Sequence, residues 1–161
     1  MDPAENLPVY SARQEGHLVS TDKDLLQIDV VHDYLANQSY WAQGVSRVKV
    51  EQAIAFSLCF GVYDEEGAQV GFARVISDYT TFAYLSDAFI LPPRQGCGLG
   101  KWLLSCILAH PHLQGLRRWT LYTRDAHELY KQFGFEEEPE PWKHMVMRPQ
   151  LRAAMNKGSE E

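Results

Sequence analysis

The stretch "LPPRQGCGLG", Leu91 to Gly100, constrains this chain more than any other. Two adjacent prolines stop a strand, because proline lacks the N–H that a ladder needs and fixes its own φ. Gly96, Gly98 and Gly100 then alternate into "KWLLSCILAH", where Leu99, Trp102, Leu103, Cys106 and Ile107 share one face at helical spacing. A strand that ends here and turns through glycines into a helix leaves unpaired backbone N–H groups at the positive end of the helix dipole. That is an anion cradle: with no side chain in the way a pyrophosphate can approach the backbone closely, and Arg94 and Lys101 flank the loop with positive charge. Two phosphate motifs fail on it. The P-loop pattern would need a glycine at Gln95 and a hydroxyl at Trp102, and the dinucleotide fingerprint would need a third glycine at Lys101 or Leu103.

Composition decides what surrounds this loop. A chain of 161 residues with an ordinary apolar share predicts one compact domain, here residues 1–150, with 151–161 as a flexible tail. The net charge of -6 and the lack of a Lys/Arg-rich run argue against nucleic acid as a partner. "MDPAENLPVY" has neither a basic start nor an apolar run, and no stretch is long enough to span a bilayer, so the expectation is a cytoplasmic protein without a membrane partner. Cys59, Cys97 and Cys106 form no C-x-x-C and read as reduced thiols.

Periodicity places the elements. "HLVSTD" reads as a short strand stopped by a capping cluster. "DLLQIDVVHDYLAN" puts Leu25, Ile28, His32 and Leu35 on one helical face, and Ser46 caps a second helix with Val50, Ala53, Ile54 and Ser57 on one side. "SLCFGVYD", "EEGAQVGFARVISD" and "TTFAYLSDAFIL" read as successive strands of an antiparallel meander, with "DEEG" as a turn. "RRWTLYT" reads as a buried strand. Asp125 and Glu128 have capping-box spacing before "AHELYKQFG", Gly134 is its C-cap, and "KHMVMRP" reads as a last strand. The fold class is α/β, a single domain with a mixed, mostly antiparallel central sheet flanked by helices.

The pattern [QR]-x-x-G-x-G, met by Gln95, Gly98 and Gly100 just after a strand-ending proline, resembles the GNAT superfamily of N-acetyltransferases. "AHELYKQFGFE" is similar to a second segment of that family, with Ala126, Leu129, Tyr130, Gly134 and Phe135 in register; together the two cover roughly Ser57 to Pro149. The resemblance implies acetyl-CoA as acetyl donor, its pyrophosphate at Gly96, Cys97, Gly98, Leu99, Gly100 and Lys101 with Gln95 opening the motif. It implies a bulged strand whose backbone at Ala88, Phe89 and Ile90 pairs with the pantetheine arm, with the Ile90 N–H as oxyanion donor. Thr123 stands where the family often has an asparagine on that arm. Tyr130 matches the family's general acid.

The chemistry agrees with that assignment. Acyl transfer from a thioester needs a neutral amine, a place for the oxyanion and an acid for the leaving thiolate. A phenol of pKa ~10 gives its proton to a thiolate of pKa ~8.5 with little mismatch. Asp87 lies in mid-strand, alternating with Leu85 and Phe89, and is either the base that handles the amine or one half of a structural pair with Arg74 or Arg124. Tyr84 and Ser86 are weaker candidates beside it. By resemblance the first two helices and their loop receive the acceptor, which makes Tyr40, Trp41 and Tyr84 its candidate contacts, with aromatic cover of a core edge as the other reading of Tyr40 and Trp41. His32 reads as a core residue, "HPH" at His110 to His112 lacks a third ligand, and no metal is assigned. Cys97 reads as a loop residue and not a nucleophile. The expected activity is transfer of acetyl to a primary amine of a small molecule or peptide by a monomer or homodimer. The alternative is an acyl-CoA-binding sensor or interaction module without transfer.

Overall fold

The computed structural model describes residues 7–149, so the predicted tail at 151–161 lies outside the described residues. Six strands form one sheet in chain order. β1 (Ser11–Gln14) and β2 (His17–Ser20) are joined by Glu15 and Gly16, whose φ values of 47° and 79° are what a two-residue primed turn requires. β2 runs antiparallel to β3 (Leu58–Tyr63), β3 to β4 (Gln69–Ser77) and β4 to β5 (Phe82–Ile90). β5 then pairs in parallel with β6 (Arg118–Leu121), which makes the sheet mixed as expected. β6 is half-buried and not the fully buried strand that its apolar content suggested.

Helices cover both faces. α1 (Ile28–Asp33) runs on into a π-helical turn, Tyr34–Gln38, and α2 (Arg47–Ala55) starts at Ser46, whose side chain accepts the Lys49 N–H. Val31 and Leu35 of the first segment and Val50 and Ile54 of α2 pack on Cys59, Phe72 and Phe89 of the sheet. α3 (Leu99–Leu108) packs on β3 and β5 and buries Leu99, Leu103, Leu104, Cys106 and Ile107. Strand alternation divides β3 between the two layers: Cys59 meets the α1 and α2 side, while Phe60 faces Tyr10 and His110. On α1 the expected face is shifted, since Val31 is fully buried and Leu25 is exposed.

The chain to Asp125 is one compact unit and holds all six strands with α1 to α3; the segment from Ala126 is a second. In that second unit α4 (His127–Lys131) begins one residue later than a capping box allows. Ala126 is its N-cap without a side-chain bond, so Asp125 and Glu128 do not form the predicted box. Gly134, at φ 89°, does close the helix, and the Phe135 N–H returns to the Tyr130 carbonyl. The strand predicted from "KHMVMRP" is absent: a 3-10 turn at Pro141–Lys143 precedes Met145, Val146 and Met147, which are exposed and join no ladder among the described residues. Apolar residues make a strand only where a partner edge meets them.

Candidate active site

The glycine turn has the geometry its sequence demands. A single 3-10 turn, Pro92–Arg94, follows β5; Gly96 and Gly98 hold φ of 81° and 87°, and Gly98 is the N-cap of α3. A Cβ at either glycine would meet nothing within 4 Å, so the left-handed backbone and not crowding requires glycine, and the loop borders open space. The first bond of α3 runs from the Trp102 N–H to the Gly98 carbonyl at 3.0 Å, which leaves the N–H groups of Leu99, Gly100 and Lys101 at the helix end without an intrahelical partner. Gln95 folds back so that its side-chain amide donates to the Ile90 carbonyl at 2.8 Å, tying the loop to β5. Arg94 does not flank the loop as a free charge. Its guanidinium pairs with Asp64 at 2.9 Å, and Asp64 also accepts the Glu66 and Ala68 N–H groups, so Arg94 anchors the loop to the β3–β4 turn. Lys101 is exposed.

β5 carries a bulge. Its register to β4 pairs Arg74 with Ser86 but Phe72 with Phe89, so Ala73 opposes both Asp87 and Ala88, and Asp87 takes a φ of 53°. The extra residue turns Ser86 and Asp87, neighbours in sequence, to the same side. Leu85 therefore falls on the opposite face from Asp87 and Phe89, which corrects the simple alternation read from sequence. β5 also parts from β6: the parallel ladder spans Phe82 to Leu85 only. From Ser86 onward that edge of β5 pairs with no strand among the described residues. Leu91 N–H donates to the Val70 carbonyl at 2.8 Å, so by ladder geometry the alternate residue, Ile90, turns its N–H away from β4 toward the open edge. Gly71 opposite is closely packed: a Cβ there would lie 2.6 Å from Ile90 Cδ1, which would have to shift, and 3.1 Å from the Phe89 carbonyl oxygen.

Beside the bulge, side chains converge. Asp87 accepts from Arg74 Nε and from Trp41 Nε1, each at 2.9 Å, and the Arg74 and Asp87 side chains are only 15% and 12% exposed. Arg74 also donates to Ser57 Oγ at 3.1 Å and Ser86 Oγ at 3.3 Å. The pairing with Arg74 is one of the two expected for Asp87; Arg124 instead stacks over the Tyr40 ring at 4.0 Å, and its N–H donates to the Tyr40 hydroxyl at 2.8 Å. Tyr40 and Trp41 meet edge to face at 5.0 Å, and Tyr34 stacks on Phe89 at 3.9 Å. Trp41, Arg74, Ser86 and Asp87 of this cluster line a cavity of ≈ 410 Å³ walled by apolar residues such as Val45, Val50, Ile54 and Phe72, with Lys49 and Tyr84 as further polar lining. Burial, with smaller contributions from Tyr122 and Asp87, pushes the Tyr84 phenol up, so it stays a protonated donor.

Trp41, Tyr84 and Asp87, suggested separately by sequence, thus meet at one cavity, while Tyr40 packs on Trp41 outside its lining. Lys49, Ser57 and the Arg94–Asp64 tie were not foreseen; each depends on a contact between residues far apart in the chain, and spacing carries no signal for such contacts. Thr123 follows β6 by two residues and is half-buried. Tyr130 lies on α4 in the second unit, half-buried, its ring edge to face with Phe135 at 5.7 Å. His32 reaches the Val45 carbonyl at 3.0 Å. His110 is 1% exposed and its Nδ1 accepts the His112 N–H at 3.2 Å; no group of three or more metal-binding side chains occurs among the described residues. All three cysteines are free; Cys97 is exposed with its thiol on the Arg94 carbonyl, and burial pushes the Cys59 thiol up to about 12.

The family model of the acetyltransferase (GNAT) domain matches residues 56–137, the stretch from the end of α2 through the bulge and cradle to α4. The chain belongs to the GNAT family of acetyltransferases. A Gibberella zeae protein named as an acetyltransferase is 36% identical over 143 residues, covering 75% of this chain and 80% of its own length. The crystal structure of a Xanthomonas campestris protein assigned to the GNAT family superposes with a TM-score of 0.81 at 46% identity, over 84% of this chain and 95% of that one. N-acetylglutamate synthase from Neisseria gonorrhoeae, solved with coenzyme A and N-acetyl-glutamate, shares the fold at 17% identity and a TM-score of 0.63, over 91% of this chain and 34% of its own. No helix of this GNAT protein among the described residues is long and apolar enough to cross a membrane.

Proposed function

We propose that this protein transfers the acetyl group of acetyl-CoA directly to a primary amine held in the cavity beside Asp87. One observation carries the reading: β5 parts from β6 after Leu85 and, by Gly98, leads past a bulge into a glycine turn at a helix N-terminus. An open strand edge ending in an anion cradle suits a long, partly amide-bearing arm that ends in a pyrophosphate. The open space at Gly96 and Gly98 fits such a group.

When bound, acetyl-CoA supplies the thioester that a neutral amine attacks. The N–H groups of the Gly96 to Lys101 turn hold the pyrophosphate, with Lys101 adding charge. The backbone at Ala88, Phe89 and Ile90 holds the arm as an added strand, and the Ile90 N–H donates to the carbonyl oxygen as negative charge develops there. Thr123 contacts the arm from the side of β6. Asp87, fixed by Arg74 and Trp41, takes a hydrogen bond from the acceptor amine and positions it. Tyr130 protonates the leaving thiolate. Tyr40, Trp41 and Tyr84 line the acceptor's approach. The protein acts in the cytoplasm, and residues 1–150 carry the activity.

The test is free-thiol release from acetyl-CoA across a panel of amines, in the unaltered protein and in Tyr130→Phe. That change keeps the ring and removes the proton. The turnover number should fall by roughly 10²-fold while the Michaelis constant for acetyl-CoA barely moves. An unchanged turnover number assigns the proton to water and removes Tyr130 from the mechanism.

A further inference from the structure

The cavity beside Asp87 has a charge pattern that selects among amines. Its one carboxylate, Asp87, is already paired with Arg74 inside a site where both side chains are nearly buried, and Lys49 adds a second cation. The lining therefore carries two positive charges against one negative. Lys49 has no ion-pair partner among the described residues. A polyamine or a lysine-rich peptide brings several positive charges and would meet a net positive wall; with one charge of each sign close together, an acceptor would not.

Arg74 gives the pattern a direction. A guanidinium has five N–H donors. Nε is used on Asp87, one N–H of each terminal nitrogen on Ser57 and Ser86, and two remain. Next to them Asp87 has spare lone pairs, since each of its oxygens accepts one bond. An ammonium and a carboxylate on one carbon atom match this arrangement: the ammonium meets Asp87, and the carboxylate meets the two free Arg74 donors and the Lys49 charge. The remaining wall is apolar, from Val45, Val50, Ile54 and Phe72, and a volume of ≈ 410 Å³ is in the range of small-ligand sites.

We propose that the acceptor is a free α-amino acid with an apolar side chain, its zwitterionic head seated on the Arg74–Asp87 pair and its side chain against α2. This rests on the acetyl-transfer reading above and specifies its acceptor. In the reaction the bound ammonium first gives one proton to solvent water; the neutral amine nitrogen then forms the new amide bond as the carbon–sulfur bond of the thioester breaks, and the second proton it loses is balanced by the one that the leaving thiolate takes up.

The test pairs amino acids with their decarboxylated counterparts: L-leucine with isoamylamine, L-phenylalanine with phenethylamine, and spermidine as the polycation. Free-thiol release should give a kcat/KM for each amino acid roughly 10- to 100-fold above its decarboxylated partner, the worth of one charge-assisted contact, with spermidine lowest. Lys49→Ala, a change at an exposed position, should raise KM about 2- to 5-fold for the amino acids and leave the decarboxylated amines unmoved. Thermal shift with L-leucine or isoamylamine in the presence of coenzyme A reads binding without turnover, and only L-leucine should raise Tm. Decarboxylated amines that match the amino acids, or spermidine as the best substrate, overturn this proposal and leave acetyl transfer intact. No thiol release with any amine overturns the transfer reading itself, and absence of a shift with L-leucine then overturns the site as well.

Discussion

At the cradle the outward-facing groups are backbone: N–H groups at the start of α3, a strand edge at Ile90, and two glycines at φ of 81° and 87° that keep side chains out. Under α2 the reverse holds, and the recognition groups are side chains, most of them fixed by one another, from Trp41 to Asp87 to Arg74 to Ser57 and Ser86. Backbone recognition depends on conformation, so it tolerates change at most positions and fails where a glycine is lost. Side-chain recognition depends on identity, so single substitutions retune it. A fold divided this way keeps one donor while its acceptor changes.

Two substitutions sharpen that contrast. Gly98→Glu should have the largest effect, because it forces a side chain onto left-handed backbone and sets a negative charge in the cradle; affinity for acetyl-CoA should drop by at least about 10²-fold by calorimetry, with the Tm changed far less. Asp87→Asn should be intermediate and confined to the other end. It keeps an acceptor for Trp41 but removes the charge opposite Arg74, costing on the order of 1–3 kcal/mol of stability in chemical denaturation. Its KM for the amine should rise by roughly 10-fold with acetyl-CoA affinity nearly unchanged. Equal losses at both ends in either variant would break the division.

The smallest effect lies away from both ends, at His110. Burial, reinforced by His112, pushes its imidazole down to about 4, and its Nε2 is buried without a partner. The folded protein therefore holds the neutral ring, and because the unfolded chain takes up the proton first, stability present above the ordinary histidine range is lost as pH falls from about 6.5 toward 4. His110→Asn retains an acceptor for the His112 N–H and removes the titration, so its Tm should fall less over that interval, by several °C.

The same division governed what could be read from sequence. The cradle is local, so glycine spacing, the prolines and the apolar face of α3 were legible together. So was the antiparallel meander, where turns and alternation agree. The cavity is not local: Trp41 and Asp87 are 46 residues apart and Arg74 and Ser57 are 17, and no spacing rule links them. The bulge was expected from the family resemblance alone, since nothing in "YLSDAFI" marks Asp87 as a residue of positive φ, and one inserted residue reverses every facing after it. β1 escaped because its residues are mostly exposed and polar, and the false strand at Met145 shows that alternation without a partner edge is not enough.

Amide hydrogen exchange with and without acetyl-CoA tests the central claim, that the donor lies along the open edge of β5 and ends in the glycine turn. Protection should rise at Ala88 to Ile90 and at Gly96 to Lys101, and stay level across α2. Protection confined to other segments, with β5 exchanging as fast as in the free protein, would contradict the account.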